Sequence, residues 1–443
     1  MSSSGLWLRT SVLLAACSSL LAVACLADSQ VRIVRLSQVE GAVQVDRNSG
    51  QGYEKAFPNL PITQGTKLRT ASDGRAEIEF EDGSTLRLAS HTVVEFPELA
   101  ARDSGSKNTS VIVGEGTVYL DFKPAKDEAF NLLFGRQNVA LAKPVHLRLQ
   151  MGDTDSSLAV FKGRVQVEGP SGSVTVAGRQ TATFDFLHGD KSTLADNLEA
   201  DPDDTWDAQQ QNYHKSSYAS SGSYSPYGYG MSDLNYYGNY FNVPGYGLMW
   251  QPYFTGVGWD PFMDGAWFSY PFGYTWVSAY PWGWMPYRYG TWRSLPGYGW
   301  VWQPATSWAA WNTMPTVANP PKQFVPPRPP ADGSLPVLVG RSPVTGPAPL
   351  SSGQIVIHKD TAGLGVARGT IRDLGRVSQQ VRTQGMASTN VHPAPLGFWA
   401  PVSSPHSPSL NMGTASHGSM SMGSAAPASH SGASPHAAGG AHK

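Results

Sequence analysis

From Val31 to Phe186 the chain alternates apolar with polar residues in short runs punctuated by glycine. A period of two sends successive side chains to opposite faces of a sheet. The runs are Gly41 to Asp46, Arg75 to Ala89, Gly116 to Phe122, Val145 to Gln150, Ser157 to Gly169 and Ser173 to Gly178. In the second, Asp82-Gly83 separates two alternating stretches, which is a strong hairpin signal. Strands this short and this evenly spaced predict an all-β fold, either a sandwich or a solenoid-like stack of sheets. The same alternation puts Glu77, Glu79 and Glu81 on one face of a strand. Like charges there repel unless water solvates them, so this face is expected to be wet rather than catalytic.

Between Leu198 and Met231 the composition turns polar and then rich in Ser, Tyr and Gly, which reads as a linker. A short helix is expected over Asp203 to Lys215, capped by Asp203 or Asp204. The acidic runs Asp153 to Asp155 and Asp201 to Asp204 lack the calcium-loop pattern with its closing Glu and read as turn or linker.

The segment from about Tyr236 to Trp311 repeats itself, with Gly238, Gly265 and Gly290 marking a period of 25 to 27 residues. Each unit runs Gly-x-aromatic, a turn with Pro and Gly, then an aromatic strand ending near Pro, and so predicts a β-hairpin. The third has a strand over Gly290 to Leu295, the turn Pro296 to Gly299, and a return strand over Trp300 to Pro304. Trp300 and Trp302 share one face with Val301 on the other, and Trp282 and Trp284 likewise share a face. Two readings stand. Stacked rings replace the aliphatic core that a hairpin this small lacks, or Trp282, Trp284, Trp292, Trp300 and Trp302 form a stacking platform for sugars or other flat ligands. Core is the default. Nucleic acid is disfavoured because this region has only Arg288 and Arg293 for a basic groove.

Two sets of residues carry a resemblance. "VEGAVQV", the step "QGTKLRT" (Gln64 to Thr70), the strand ending in "DGS" (Asp82 to Ser84) and the following "LRL" resemble the FecR-type domain, named for the periplasmic part of the ferric citrate regulator. "VFKGRVQVEG" and Val174 to Phe184 resemble its closing strands. The aromatic units resemble the Trp/Tyr-rich repeat of unassigned function that follows such domains in some bacterial envelope proteins. The resemblance implies an extracytoplasmic β domain in envelope signalling or binding. In the regulator a cytoplasmic segment precedes a membrane helix and controls a sigma factor. Here only a few residues precede the first apolar run, so that direct role is not expected.

That run, Val12 to Leu26 behind Arg9, is short and rich in Ser and Ala, and predicts a cleaved secretory signal over 1–27, the alternative being an uncleaved anchor. Cleavage after Ala27 suits an ordinary signal peptidase, while Ala22 to Cys25 resembles a lipobox and makes Cys25 a lipidation candidate. Both cysteines, Cys17 and Cys25, lie in this leader, so the exported chain has no disulfide and must be held by packing. No later segment is apolar enough to cross a membrane.

The tail is Pro-rich from Pro315, with a strand expected at Gly353 to Asp360. A docking helix is expected near 369–384, with Ile371, Leu374, Val377 and Val381 on one face despite Gly375. Beyond Met386 the Ser, Gly, Ala, Pro and His content predicts disorder. His406, His417, His430, His436 and His442 are too widely spaced for a defined metal site.

The expected organisation is a signal at 1–27, a FecR-like β domain at 28–198, a linker at 199–235, hairpin repeats at 236–312 and a largely disordered tail at 313–443. A formal charge of −1 suggests no nucleic-acid or acidic-membrane partner. No catalytic motif, cofactor or metal is indicated. The expected function is non-enzymatic: an exported periplasmic or cell-surface protein contacting an envelope glycan, either polysaccharide or peptidoglycan, or an envelope protein. The alternatives are a signalling accessory acting through a partner protein and, third, glycan hydrolysis by a carboxylate pair on separate strands.

Overall fold

Alternation in the amino-terminal half produces strands that bury one face each, and their apolar residues meet between two sheets. A computed structural model describes residues 30–102, 104–218, 228–308, 316–331, 338–340 and 353–390. The leader with Cys25 and the five tail histidines lie outside these residues. All described residues fall in one unit.

The first sheet runs in the order Glu54–Lys55, Val43–Asp46, Lys67–Thr70, Val93–Ala101, the front of Lys107–Phe122, Glu128–Phe134, Gln137–Leu141, Arg164–Gly169 and Gly172–Ala177. The second runs Pro61–Ile62, Val34–Glu40, Arg75–Glu79, Thr85–Leu88, the back of Lys107–Phe122, Val145–Met151, Asp155–Lys162, Gln180–Asp185 and Lys191–Ala195. The fold is all-β, with several sheets and no barrel. Chain segments pass back and forth between the layers, so the arrangement is a sandwich built by stacking rather than by two independent sheets.

The 16-residue strand Lys107–Phe122 joins the layers. It pairs with Val93–Ala101 as far as Glu115 and with Val145–Met151 from Gly116 onward. The corner is Gly116, at φ 85°, where a Cβ would sit 2.3 Å from the His91 carbonyl oxygen. Only glycine fits that approach. The core between the sheets is aliphatic with a few rings, from Val34 and Leu36 through Leu86, Leu120 and Leu147 to Val176 and Phe184.

The expected hairpins form at Gly238–Val243 with Gly247–Pro252, Asp264–Tyr270 with Gly273–Ser278, and Tyr289–Leu295 with Gly299–Trp308. The first and third share a five-stranded sheet through the register Trp250 to Trp302, and Thr316–Ala318 adds in parallel at its edge. The second docks on the sandwich. Its Val277 and Phe268 pack against the sandwich core, Phe268 meets Phe57 at 5.9 Å, and the Tyr270 hydroxyl donates to the Pro61 carbonyl at 2.7 Å.

Within the segment read as a linker, Asp204–Tyr218 and Met231–Tyr237 are helices. In the tail, Leu374–Gln384 is a helix capped by Asp373, with Leu374, Val377 and Val381 buried, flanked by the paired strands Gln354–His358 and Met386–Asn390. Ile371 is buried just ahead of the helix. These tail residues complete the aromatic core around Trp250, Trp282 and Trp292.

Gly116→Ala forces a left-handed alanine against backbone, and the conformation alone costs roughly 1–2 kcal/mol. The variant is therefore expected to unfold at lower urea than the parent, with an unchanged m-value; an unchanged midpoint would contradict the corner assignment.

Candidate functional site

The five tryptophans considered as a ligand platform are buried, none more than 6% exposed. Trp282 stacks on Tyr280 with ring centroids 5.0 Å apart and donates its indole N–H to the Ala362 carbonyl at 2.6 Å. Trp302 donates to the Tyr289 carbonyl at 2.7 Å. Trp284 lies under the Arg288 guanidinium, and Trp300 packs on Phe324 at 4.7 Å. Trp292 touches Trp259, Trp282 and Tyr287. In this arrangement no face of these rings is open to a ligand, which corrects the platform reading. The reason is coverage: tail residues Ala362, Leu364 and Val366 join the same buried cluster, and Ala362 meets Trp282 directly. Both sides of Trp-Val-Trp are dry, because Val301 is buried in a separate cluster with Val243, Met249 and Leu295.

The face carrying Glu77, Glu79 and Glu81 is likewise not wet. These residues are 0%, 1% and 7% exposed. Register explains how they are tolerated: Arg35 lies opposite Glu79, and Arg87 lies opposite Glu77. The Glu77 carboxylate accepts from Arg87 Nε at 2.8 Å, from Arg368 Nη1 of the tail at 2.6 Å and from the Ser37 hydroxyl at 2.7 Å. His214 Nε2 of the linker helix lies 3.0 Å away. Glu79 meets Arg35 Nη1 at 3.2 Å and accepts from the Gly230 amide at 3.0 Å. Asp233, on the short helix, binds Arg35 at 2.6 Å, faces Arg368 at 3.4 Å and accepts from the Tyr213 hydroxyl at 2.7 Å. Arg87 also reaches Asp207 at 2.7 Å. Four carboxylates, Glu77, Glu79, Asp207 and Asp233, thus face three guanidiniums, with His214 beside Glu77 and His146 beside Asp207 as further cations when protonated. Glu81 is held separately by a two-pronged pair with Arg32 at 2.7 and 2.8 Å.

A second row crosses the same sheet. Glu77, Arg87, Tyr119 and Arg148 are cross-strand neighbours. The acids of the linker sit above it. Asp204 accepts from Tyr119 at 3.0 Å and Arg148 at 2.7 Å, and Asp201 accepts from Tyr119 at 2.9 Å and Gln150 at 2.8 Å. Asp203 pairs with Arg75. The run Asp201 to Asp207 is therefore an electrostatic match to a basic sheet face. Carboxylates from different elements also converge at Asp82 and Glu128, where burial and the neighbouring Glu128 charge push Asp82 up to about 7.

Among the described residues the most exposed rings are at the hairpin tips, with Phe272 of the second hairpin 54% exposed. Tyr246 and Tyr298 are 41% and 42% exposed, and each sits in a Pro-Gly-Tyr-Gly loop 52 residues from the other. Gln303 donates to the Tyr246 carbonyl at 2.9 Å, and Gln251 donates to the Tyr298 carbonyl at 2.8 Å. Each hairpin thereby fixes the other's tip. Phe241 stacks on Tyr298 at 5.8 Å. Among the described residues no group of three or more His, Cys, Asp or Glu is placed to hold a metal ion.

Arg87→Met removes a cation shared by Glu77 and Asp207 and is expected to cost about 3–5 kcal/mol in urea unfolding, the usual penalty for breaking a buried pair; a loss within error of zero would show that the joint is not a unit. The pH profile should peak near pH 5 by linkage. Burial pushes Glu40 up to about 7, as it does Asp82, so the folded chain takes up protons below neutrality before the unfolded chain does and gains stability. Glu79, raised by burial despite His214 and Arg35, acts in the same sense. Burial would also raise Glu77, but His214, Arg368 and Arg87 outweigh it and hold that carboxylate well below 4.5; Arg368 and Arg35 likewise outweigh burial and lower Asp233, and Arg32 lowers Glu81. Below the usual carboxylate range the unfolded chain protonates first and stability falls. Urea midpoints that rise steadily to pH 3 would contradict this balance.

Comparison with known proteins bears on both halves. Residues 66–166 match the family described as FecR protein, and residues 231–323 match a family of unknown function, DUF6600. Among curated proteins none matches. Two crystal structures of a protein provisionally assigned as an anti-sigma factor, from Parabacteroides distasonis ATCC 8503, are similar at 14% identity, covering 32% of this chain and 64% of theirs. Their TM-score of 0.27 is too low to carry an argument, and the chain spans less than two thirds of their length. FecR family proteins are envelope-associated and act through partner proteins. No helix among the described residues is long and apolar enough to cross a membrane. The protein therefore joins a FecR domain, within its two-layer β-sandwich, to a DUF6600 region built from aromatic hairpins.

Proposed function

We propose that this is an exported, non-enzymatic interaction protein of the cell envelope, in which the FecR sandwich and the aromatic hairpins act as one scaffold that engages envelope polysaccharide or peptidoglycan. The observation that supports this reading most is the buried ionic joint. Arg368 and Asp233, from the aromatic half, share partners with Glu77 and Arg35 of the sandwich. Paired charges this deep are costly to separate, so the halves present fixed surfaces relative to each other. The convergent carboxylates do not favour hydrolysis. Glu77, Glu79 and Glu81 are consumed by cations, and Lys107 lies 3.6 Å from Glu128.

The leader supports export, with the mature chain in the periplasm or at the cell surface and Cys25 as the lipidation point if a lipobox is used. A second reading, favoured by the FecR match, makes the protein an accessory in envelope signalling that acts through a partner protein.

Co-sedimentation separates the two. The purified mature chain is expected to pellet with peptidoglycan sacculi or with extracted envelope polysaccharide. Failure to pellet with either, together with a discrete protein partner recovered after crosslinking in cells, would replace the glycan reading by the signalling one.

A further inference from the structure

We propose that the outer face of the five-stranded sheet is the glycan-contacting surface, with Tyr246 and Tyr298 as its two stacking rings. This inference rests on the glycan reading above and gives it a location, which the buried tryptophans no longer provide.

Three observations lead there. The first is the register. Tyr240, Trp250, Trp292 and Trp302 are cross-strand neighbours and point into the module core. Their sequence neighbours Phe241, Gln251, Arg293, Val301 and Gln303 consequently face outward. The second is the construction of the tips. Gly245, Gly247, Gly297 and Gly299 all have positive φ, between 74° and 83°, a conformation natural to glycine. The reciprocal glutamines fix the backbone of both tips at the tyrosine carbonyls, and Phe241 stacks on the Tyr298 ring. A rigid aromatic loses little conformational entropy on contact. The third is repetition. The same Pro-Gly-Tyr-Gly tip and the same Trp-Gln-Pro strand end recur at an offset of 52 residues, so the face presents one arrangement twice.

The chemistry of the face selects its occupant. Val243, Met249, Leu295 and Val301 are buried beneath the longer side chains of this face, so among the described residues no contiguous apolar patch is left for a second copy or a globular partner. What remains exposed on this side is separate rings and the amide of Asn239, with the half-buried Gln251 and Gln303 beside them. Arg293 is the one charged residue of these four strands on this side, and its Nε is taken by Gln303 Oε1 at 2.6 Å. Isolated aromatic faces with neutral amide donors, repeated along a sheet, suit a neutral hydroxylated polymer whose rings stack on tyrosine while its hydroxyls find amides. They do not suit a polyanion.

The test uses the full mature chain and two probes, peptidoglycan sacculi and extracted neutral polysaccharide, in co-sedimentation. The double variant Tyr246→Ala, Tyr298→Ala is expected to bind at least tenfold more weakly while remaining folded at the assay temperature. Should truncation unsettle the Phe241 contact, Tyr246→Leu with Tyr298→Leu keeps an apolar cover and removes the rings. That pair is also expected to lose binding, while Tyr246→Trp with Tyr298→Trp retains it. Wild-type binding that survives both the alanine and the leucine pairs would overturn the location but leave the glycan reading standing. Absence of wild-type binding to both probes would overturn the two together. A dimer that the alanine pair dissociates would assign the face to a second copy instead.

Discussion

A carboxylate with no access to water must be surrounded by cations, and Glu77 meets that condition by drawing on three separate parts of the chain. Arg87 comes from the neighbouring strand, His214 from the linker helix and Arg368 from a point 291 residues further along. Removing any of them leaves charge stranded in a medium of low dielectric, where the penalty is several kcal/mol. The joint is therefore best regarded as a device for specificity. It dictates which helix lies on the sheet and where the tail returns, because an arrangement that placed other residues there would leave Glu77 and Glu79 unpaired.

Around that joint two cores of different composition are assembled. The sandwich core is aliphatic and is divided from solvent by sheets that cover each other. The hairpin module has too few strands for that and uses rings, which bury a large area per residue and interlock edge to face. The second hairpin belongs to both, since Val277 joins the aliphatic core while Trp267 and Trp276 join the aromatic one. Polar contacts reinforce this seam, with Asn59 donating to the Ser278 and Tyr280 carbonyls and Arg35 to the Pro281 carbonyl. A partner that engages one half thus meets a surface whose position is fixed by the other.

Much of the local structure was legible in advance. Period-two alternation located the strands, Asp82-Gly83 their hairpin, the glycine period the aromatic units, and the spacing of Leu374, Val377 and Val381 the tail helix. The reading of Glu77, Glu79 and Glu81 as a wet face failed for a definite reason. Alternation shows that they share a face but is silent on what covers it. The signal that existed was in the other strands: "VRL" at 34–36 and "LRL" at 86–88 put an arginine in the same alternating position, ready for cross-strand pairing. The acids of Asp201 to Asp207 were visible too, but as a turn rather than as the complement of Arg75, Arg87 and Arg148.

The sequence by itself determined the period of the strands in its alternating runs, the Gly-marked turns between them, and the fact that Trp300 and Trp302 lie on the opposite side from Val301. These are local consequences of backbone geometry and of glycine's freedom at positive φ. Only the tertiary structure decided which sides are dry. A return by the tail over Trp282 and a roof of Phe241 and Tyr298 above Val301 depend on contacts between residues tens to hundreds of positions apart. Burial is a property of what is packed against a face, and no periodicity encodes the identity of the covering element.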